Sequence, residues 1–176
     1  MKTVPDSDGR QKVNCGRIDM HIGRDGKWFY HGTPIPRKEM VCLFASTLER
    51  RADGTYWLVT PCEEAEISVE DVPFLAVELF QCNCGRSRNI SFRTNVDELV
   101  PLKEPDQLRA QAGAQVGGDG HPPYLRVRNG LEARLTRSVY YELVGLGCEE
   151  VIGGERLFGV WSNGNFYPLG RLDEMP

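Results

Sequence analysis

The chain has 176 residues, 40% of them hydrophobic and 26% charged, and a formal net charge of -4. That length falls between one and two domains at about 150 residues each, and is enough to bury a core without staples. The acidic balance, with a pI near 5.5, argues against a protein that lives on phosphate backbones. No apolar run approaches the roughly 20 residues of a bilayer span. The opening MKTVPDSDGRQKVN lacks the apolar stretch of a secretory signal, so residues 1–15 read as a disordered lead-in. These features predict a cytoplasmic protein that partners neither a membrane nor a nucleic-acid polymer.

Ile18, Met20 and Ile22 alternate with polar residues, as in a strand. Asp25-Gly26 marks a turn into the aromatic strand Trp28-Phe29-Tyr30, and His31-Gly32 turns again into Thr33-Pro34-Ile35. From about Arg37, Met40, Val41, Phe44 and Leu48 recur at helical spacing, with Pro36 suited to the first position. Asp53-Gly54 opens the next turn, and Tyr56 to Val59 forms a strand that Pro61 ends. The middle is β-rich: Ile67 and Val69, then Leu75, Val77 and Leu79, then Ile90 and Phe92. Asn95 to Leu99 reads as a turn. Residues 103–122 are polar with a Gly-rich tip at Gly117-Gly118-Asp119-Gly120, and are taken as a linker between halves at 16–102 and 123–176. That tip is no phosphate loop, because no lysine and helix follow it.

The second half repeats the order of the first. Leu125 to Arg128 is a strand, Asn129-Gly130 a turn, and Leu131 to Leu135 a second strand. Thr136 is placed to cap a helix with Val139, Tyr140, Leu143 and Val144 on its apolar face. A hairpin from Phe158 to Leu169 turns at Asn163-Gly164 and closes the chain. Ile35-Pro36-Arg37 then corresponds to Leu135-Thr136-Arg137, and Asp53-Gly54-Thr55-Tyr56-Trp57 to Asn163-Gly164-Asn165-Phe166-Tyr167, with a loop-like insertion around Glu149 to Arg156. The predicted fold is α+β with mainly antiparallel sheets, its two related halves the product of an internal duplication.

Several strings carry a family resemblance: WFYHGTPIPRKE (Trp28 to Glu39), LFAS (Leu43 to Ser46), DGTYWLVTP (Asp53 to Pro61), VEDVPF (Val69 to Phe74), FRTN (Phe92 to Asn95) and PYLRVRNGLEARLTRSVYYEL (Pro123 to Leu143). In these the chain resembles the bacterial domain of unknown function 1285 family. The resemblance implies a duplicated α+β core whose C-terminal half is similar to pleckstrin-homology folds. It also implies a nucleotide-like ligand between the halves and a part in signalling. Cys82-Asn83-Cys84 lies outside the family pattern.

The hairpin at Asn129-Gly130 holds the densest polar information. A three-residue loop ending in a left-handed Gly130 pairs Val127 with Leu131 and Arg126 with Glu132. One face is then apolar, and the other carries Tyr124, Arg126, Arg128, Glu132 and Arg134. Two readings stand. One is a solvated sheet face with a weak surface ion pair. The other is an anion site, because arginine forks match phosphate oxygens and a tyrosine offers a stacking surface. Arg37 and Arg137 at helix starts would add charge beside free N–H groups, yet both oppose the helix dipole and so predict a partner, Glu39 or Glu70-Asp71. Arg93 and Asn95 follow a strand and either face the ligand or cap the next turn, and Trp57 offers an apolar wall. The acidic run Glu63, Glu64, Glu66, Glu70 and Asp71 lacks the spacing of a calcium loop and reads as solvated charge.

The function expected from this is a regulatory protein holding a small anionic, nucleotide-like ligand between its halves, without cofactor or metal. A protein–protein interaction module using the arginine face, and an enzyme for which no nucleophile can be named, remain open beside it. Cys15, Cys42, Cys62 and Cys148 are isolated in sequence, and Cys82 and Cys84 lack a second cysteine or histidine pair. All six cysteines are therefore expected to be reduced and metal-free under reducing conditions. Stoichiometric zinc in the purified protein, or one cystine by mass spectrometry, would refute this.

Overall fold

The computed structural model describes residues 2–5, 11–110 and 122–172. The chain divides into two units: Met1–Pro73 with Arg128–Leu131, and Phe74–Val127 with Glu132–Pro176. Both are mostly sheet, and the strand pairs are predominantly antiparallel. No helix among the described residues is long and apolar enough to cross a membrane.

In the first unit the strands are β1 (Lys2–Pro5), β2 (Gln11–Ile22), β3 (Trp28–Tyr30), β4 (Thr33–Pro34), β5 (Leu48–Arg50), β6 (Tyr56–Val59) and β7 (Glu63–Val69), with helix α1 (Lys38–Ser46) between β4 and β5. The sheet order is β4-β3-β2-β7-β6-β5, with β1 added to β2. Two antiparallel meanders are thus joined by one parallel seam, Val13 opposite Glu63 to Ile22 opposite Val69. His31 (φ 46°) and Gly32 (φ 71°) are both left-handed, the pair a two-residue hairpin turn requires. The lead-in expected to be disordered contains β1, which pairs Lys2–Pro5 with Gln11–Asn14; Met1 and residues 6–10 lie outside the described residues. Leu48, read as helical, is a buried strand residue, because the helix stops at Thr47, whose hydroxyl donates to Phe44 O at 2.9 Å.

The second unit contains β8 (Phe74–Cys82), β9 (Asn89–Thr94), β10 (Leu99–Pro101), β11 (Leu108–Arg109), β12 (Tyr124–Arg128), β13 (Leu131–Leu135), α2 (Arg137–Gly145), β14 (Cys148–Ile152), β15 (Glu155–Ser162) and β16 (Asn165–Arg171). One sheet runs β10-β9-β8-β13-β12-β11 and a smaller one β14-β15-β16. Phe74, Ala76, Ile90, Phe92, Leu125, Ala133 and Leu135 are buried, as are Val139, Tyr140 and Leu143 of α2. The buried face of β8 is Phe74 and Ala76, not Leu75 and Val77, since β8 is apolar on both faces and its alternation alone cannot choose. Thr136 caps α2 by position without a side-chain bond to the backbone; its hydroxyl meets Ser138 Oγ at 3.2 Å.

Within the stretch read as a linker, Leu108–Arg109 pairs with Leu125 and Tyr124, while 111–121, including the Gly117 to Gly120 tip, lie outside the described residues. The insertion around Glu149 to Arg156 is the strand pair β14–β15, turned at Gly153-Gly154. It carried no burial signal because Val151 and Ile152 are exposed, and its ladder rests on backbone bonds. Asn129 (φ 43°) and Gly130 (φ 76°) are both left-handed, which is the two-residue turn and not the single left-handed glycine expected. Farther out, Leu135 N–H donates to Pro123 O at 3.0 Å.

The expected succession of strand, turn, strand, helix and hairpin is present as β3, β4, α1, β5, β6 and again as β12, β13, α2 and the β14–β16 meander. The pairing of these pieces differs: β4 is a sheet edge, whereas β13 lies parallel to β8. A second regularity appears only in the sheets. Counting strands β2–β7 and β8–β13 each from one to six, both follow the order 3-2-1-6-5-4, with the first and last strands parallel.

Gly159 sits buried at a bulge where an added Cβ would stand 2.3 Å from Tyr167 O, a backbone atom that cannot yield cheaply. Gly159→Ala is expected to destabilise the protein by about 2–3 kcal/mol in urea titrations. Gly145 at the end of α2 has open space around it, and Gly145→Ala should stabilise by about 0.5 kcal/mol in the same assay.

Candidate functional site

The residues singled out from the sequence fall into separate clusters, most of them already bonded. In the second unit, Arg126 pairs with Glu104 at 3.2 Å and also donates to Pro105 O. Arg93 donates to Glu78 at 2.7 Å and to Asp97 at 3.1 Å, and the bond to Glu78 pushes the pKa of its guanidinium up. Asn95 Oδ1 accepts from Leu75 N–H at 3.0 Å, so it fixes a turn. Tyr124 and Glu132 are brought together by Arg109, which lies 4.9 Å from the Tyr124 ring and 3.2 Å from Glu132. Sequence reasoning missed Arg109, because only the register of β11 on β12 puts it opposite Tyr124. Arg134 is half-buried on β13, and Arg137 is exposed at the first position of α2. A hollow of about 410 Å³ beside Glu149, Glu150 and Arg156 is polar. Its charges are also matched: Arg156 to Glu149 at 3.0 Å, and Arg86 with the Trp161 indole on Glu150, which hold that carboxyl below its usual range.

In the first unit, Trp57 is buried, its indole bonded to Thr55 Oγ1 at 2.8 Å and covered by Arg51 at 3.8 Å. Arg51 also reaches Glu64 Oε2 at 2.6 Å, and Asn14 donates to Glu64 Oε1 at 2.8 Å. Glu64 is therefore a buried, paired carboxylate and not part of a solvated run. Arg37 is the exposed N-cap residue of α1. Arg128, grouped with this unit, donates to Ala45 O at 2.7 Å and Leu48 O at 3.3 Å. A cation here meets the carbonyl end of α1, where the helix dipole favours it.

What this unit adds is a cavity of about 400 Å³ between α1 and the sheet, large enough for a small molecule. Its floor is laid by Ile18 and Met20 of β2, Leu58 of β6 and Ala65 of β7; Leu43, Phe44 and Thr47 of the helix segment form its roof. Cys15, Thr60 and Glu63 complete the lining. The cavity exists because β2 is bent: Gly16 is left-handed at φ 69° and the β2–β7 ladder slips on either side of Arg17. The nine-residue helix is too short to fill the resulting hollow, burying Ala45 fully and leaving Leu43 63% exposed. Trp57 alternates with Leu58 on β6 and so faces away from it. Thr60 Oγ1 is held by the Glu63 backbone at 2.9 Å and Thr47 Oγ1 by Phe44 O, so neither hydroxyl is idle. The signal in the sequence was the Ile18, Met20 alternation, which marks an inward face but not what lies over it.

A model of the N-terminal domain of unknown function DUF1285 matches residues 11–72, and one of the C-terminal domain of the protein of unknown function DUF1285 matches residues 73–169. The crystal structure of a DUF1285 family protein from Silicibacter pomeroyi DSS-3 is 42% identical, with a TM-score of 0.80 over 93% of this chain and 85% of that one. A second, from Shewanella baltica OS155, is 28% identical, with a TM-score of 0.58 over 73% of this chain and 91% of that one. No curated protein matches.

Because Arg128 holds the Ala45 carbonyl in the last turn of α1 and the Leu48 carbonyl at the start of β5, its replacement should be felt without any ligand. Arg128→Ala is expected to cost about 1.5–3 kcal/mol in urea unfolding, the range for hydrogen bonds to a charged group, and Arg128→Lys to recover part of it. An unchanged midpoint for Arg128→Ala would show that the bonds to Ala45 and Leu48 do not hold the helix.

Proposed function

The chain belongs to the DUF1285 family, and we propose that it is a regulatory binding protein that takes a small, largely apolar molecule into the cavity under α1. The observation that carries this reading is the lining: aliphatic and aromatic carbon with two hydroxyls tied to backbone, and ionisable groups only at Cys15 and Glu63. Such a surface rewards burial of carbon at about 25 cal/mol per Å² and offers no acid–base pair to a reacting bond. That favours binding over catalysis. An occupant would pack against Leu43 and Phe44, so filling the cavity would firm a helix that is otherwise half-exposed and couple ligand to output.

The anionic, nucleotide-like ligand suggested by the arginines asks more of the molecule. Arg93 and Arg126 would have to leave Glu78, Asp97 and Glu104, and Arg128 would have to leave α1. The cavity requires no bond to break.

The test is titration with N-phenyl-1-naphthylamine, an uncharged dye that brightens in apolar surroundings. Saturable brightening is expected, and Ala65→Phe, which fills the floor, should weaken it at least tenfold while the folded signal in circular dichroism persists. Brightening untouched by Ala65→Phe would remove the cavity as the site. A thermal shift with nucleotides that disappears in Arg126→Ala would favour the anion reading instead.

A further inference from the structure

From the rim of this cavity we infer that its ligand is a primary amine, with the ammonium group at Glu63 and an alkyl or arylalkyl tail inside. The inference rests on the cavity reading above and adds the chemistry of the ligand's polar end. Of the ten lining residues, Glu63 alone carries a formal charge; no lysine, arginine or histidine lines the cavity. Its neighbour in sequence shows the contrast. Glu64 points to the other face of β7 and is met by Arg51 and Asn14. Among the described residues the Glu63 carboxylate is met only by the Cys15 thiol, at 3.9 Å, the outer limit for a sulfur donor. No ion pair among the described residues engages it.

Glu63 is held in place by its own backbone. Its N–H donates to Thr60 Oγ1 at 3.0 Å and its carbonyl accepts from the same hydroxyl at 2.9 Å, closing the turn from β6 into β7. Alternation along β7 then puts Glu63 and Ala65 on one side, the carboxylate at the lip and the methyl group on the floor. A ligand whose tail lies on Ala65 and Leu58 therefore brings its head to Glu63. An ammonium there gains a charge-assisted hydrogen bond beside an apolar wall. A hydroxyl gains a neutral bond, and a carboxylate meets like charge. The cavity thus ranks three heads on one tail: amine, then alcohol, then acid.

Displacement of N-phenyl-1-naphthylamine by hexylamine, hexan-1-ol and hexanoate at pH 7 reads this ranking directly. Hexylamine is expected to displace the dye about three- to tenfold more tightly than hexanol, the range for an exposed to partly dehydrated ion pair. Hexanoate should be weakest. Each methylene from butylamine to hexylamine should add roughly fourfold. Glu63→Gln keeps the shape of the side chain, and should bring the amine-to-alcohol ratio close to one. Raising the salt from 0.05 to about 0.5 M should shrink the ratio in the parent protein and not in the variant. A parent ratio of one or less, or a ratio that survives Glu63→Gln, overturns the amine inference. The cavity reading stands in that case if hexanol displacement is lost in Ala65→Phe. If none of the three compounds displaces the dye, the amine inference falls, and the cavity reading is decided by whether Ala65→Phe abolishes the brightening of the dye itself.

Discussion

The parallel seam between β2 and β7 is the constraint from which the first unit follows. Parallel strands cannot be joined by a tight turn, so everything between them must leave the sheet edge and return. Here that excursion is β3, β4, α1, β5 and β6, and it places the single helix over a sheet whose longest strand is bent at Gly16. A nine-residue helix spans about 14 Å at 1.5 Å per residue, about the width of three strands. The bend makes the face deeper than the helix can fill. The apolar cavity, the exposure of Leu43 and the need to secure the helix end through Arg128 are three results of that one mismatch.

The same wiring occurs in the second unit, where β8 and β13 are the parallel pair. There the excursion contains no α-helix among the described residues, only the short 3-10 turn Gly85–Ser87, and α2 follows the sixth strand. Two domain models of one family, matching residues 11–72 and 73–169, are consistent with duplication. The repeat of strand order and the repeat of strand, turn, strand and helix start at different strands. A single linear alignment of the halves therefore captures one and misses the other.

Local order was legible where a short-range rule decides it. The strand Tyr56–Val59 lies between Asp53-Gly54 and Pro61, and Leu131–Leu135 follows Asn129-Gly130; both turns need left-handed residues that few other sequences supply. The inward face of α2 was legible because Val139, Tyr140 and Leu143 fall at i, i+1 and i+4, one face of a helix. The strand β14 was not, since its two large apolar residues point to solvent. The site was harder. The arginines could be counted, but not their partners: Glu104 is 22 residues from Arg126, and Arg128 meets carbonyls 80 and 83 residues away. A cavity is less legible still, because it depends on the curvature of a sheet and on what a helix fails to reach.

The first unit is not continuous in sequence, and this bears on how the chain emerges from the ribosome. Its sheet can close once β7 has been made, but the group that holds the Ala45 and Leu48 carbonyls is Arg128, which arrives only after the whole of β8 to β11. During that interval the roof of the cavity is a short helix whose end is held by its own cap N–H groups and the Ser46 and Thr47 hydroxyls but not yet by Arg128. The strand that leads into the Asn129-Gly130 hairpin thus adds the last bonds to this helix end only after most of the chain has been made.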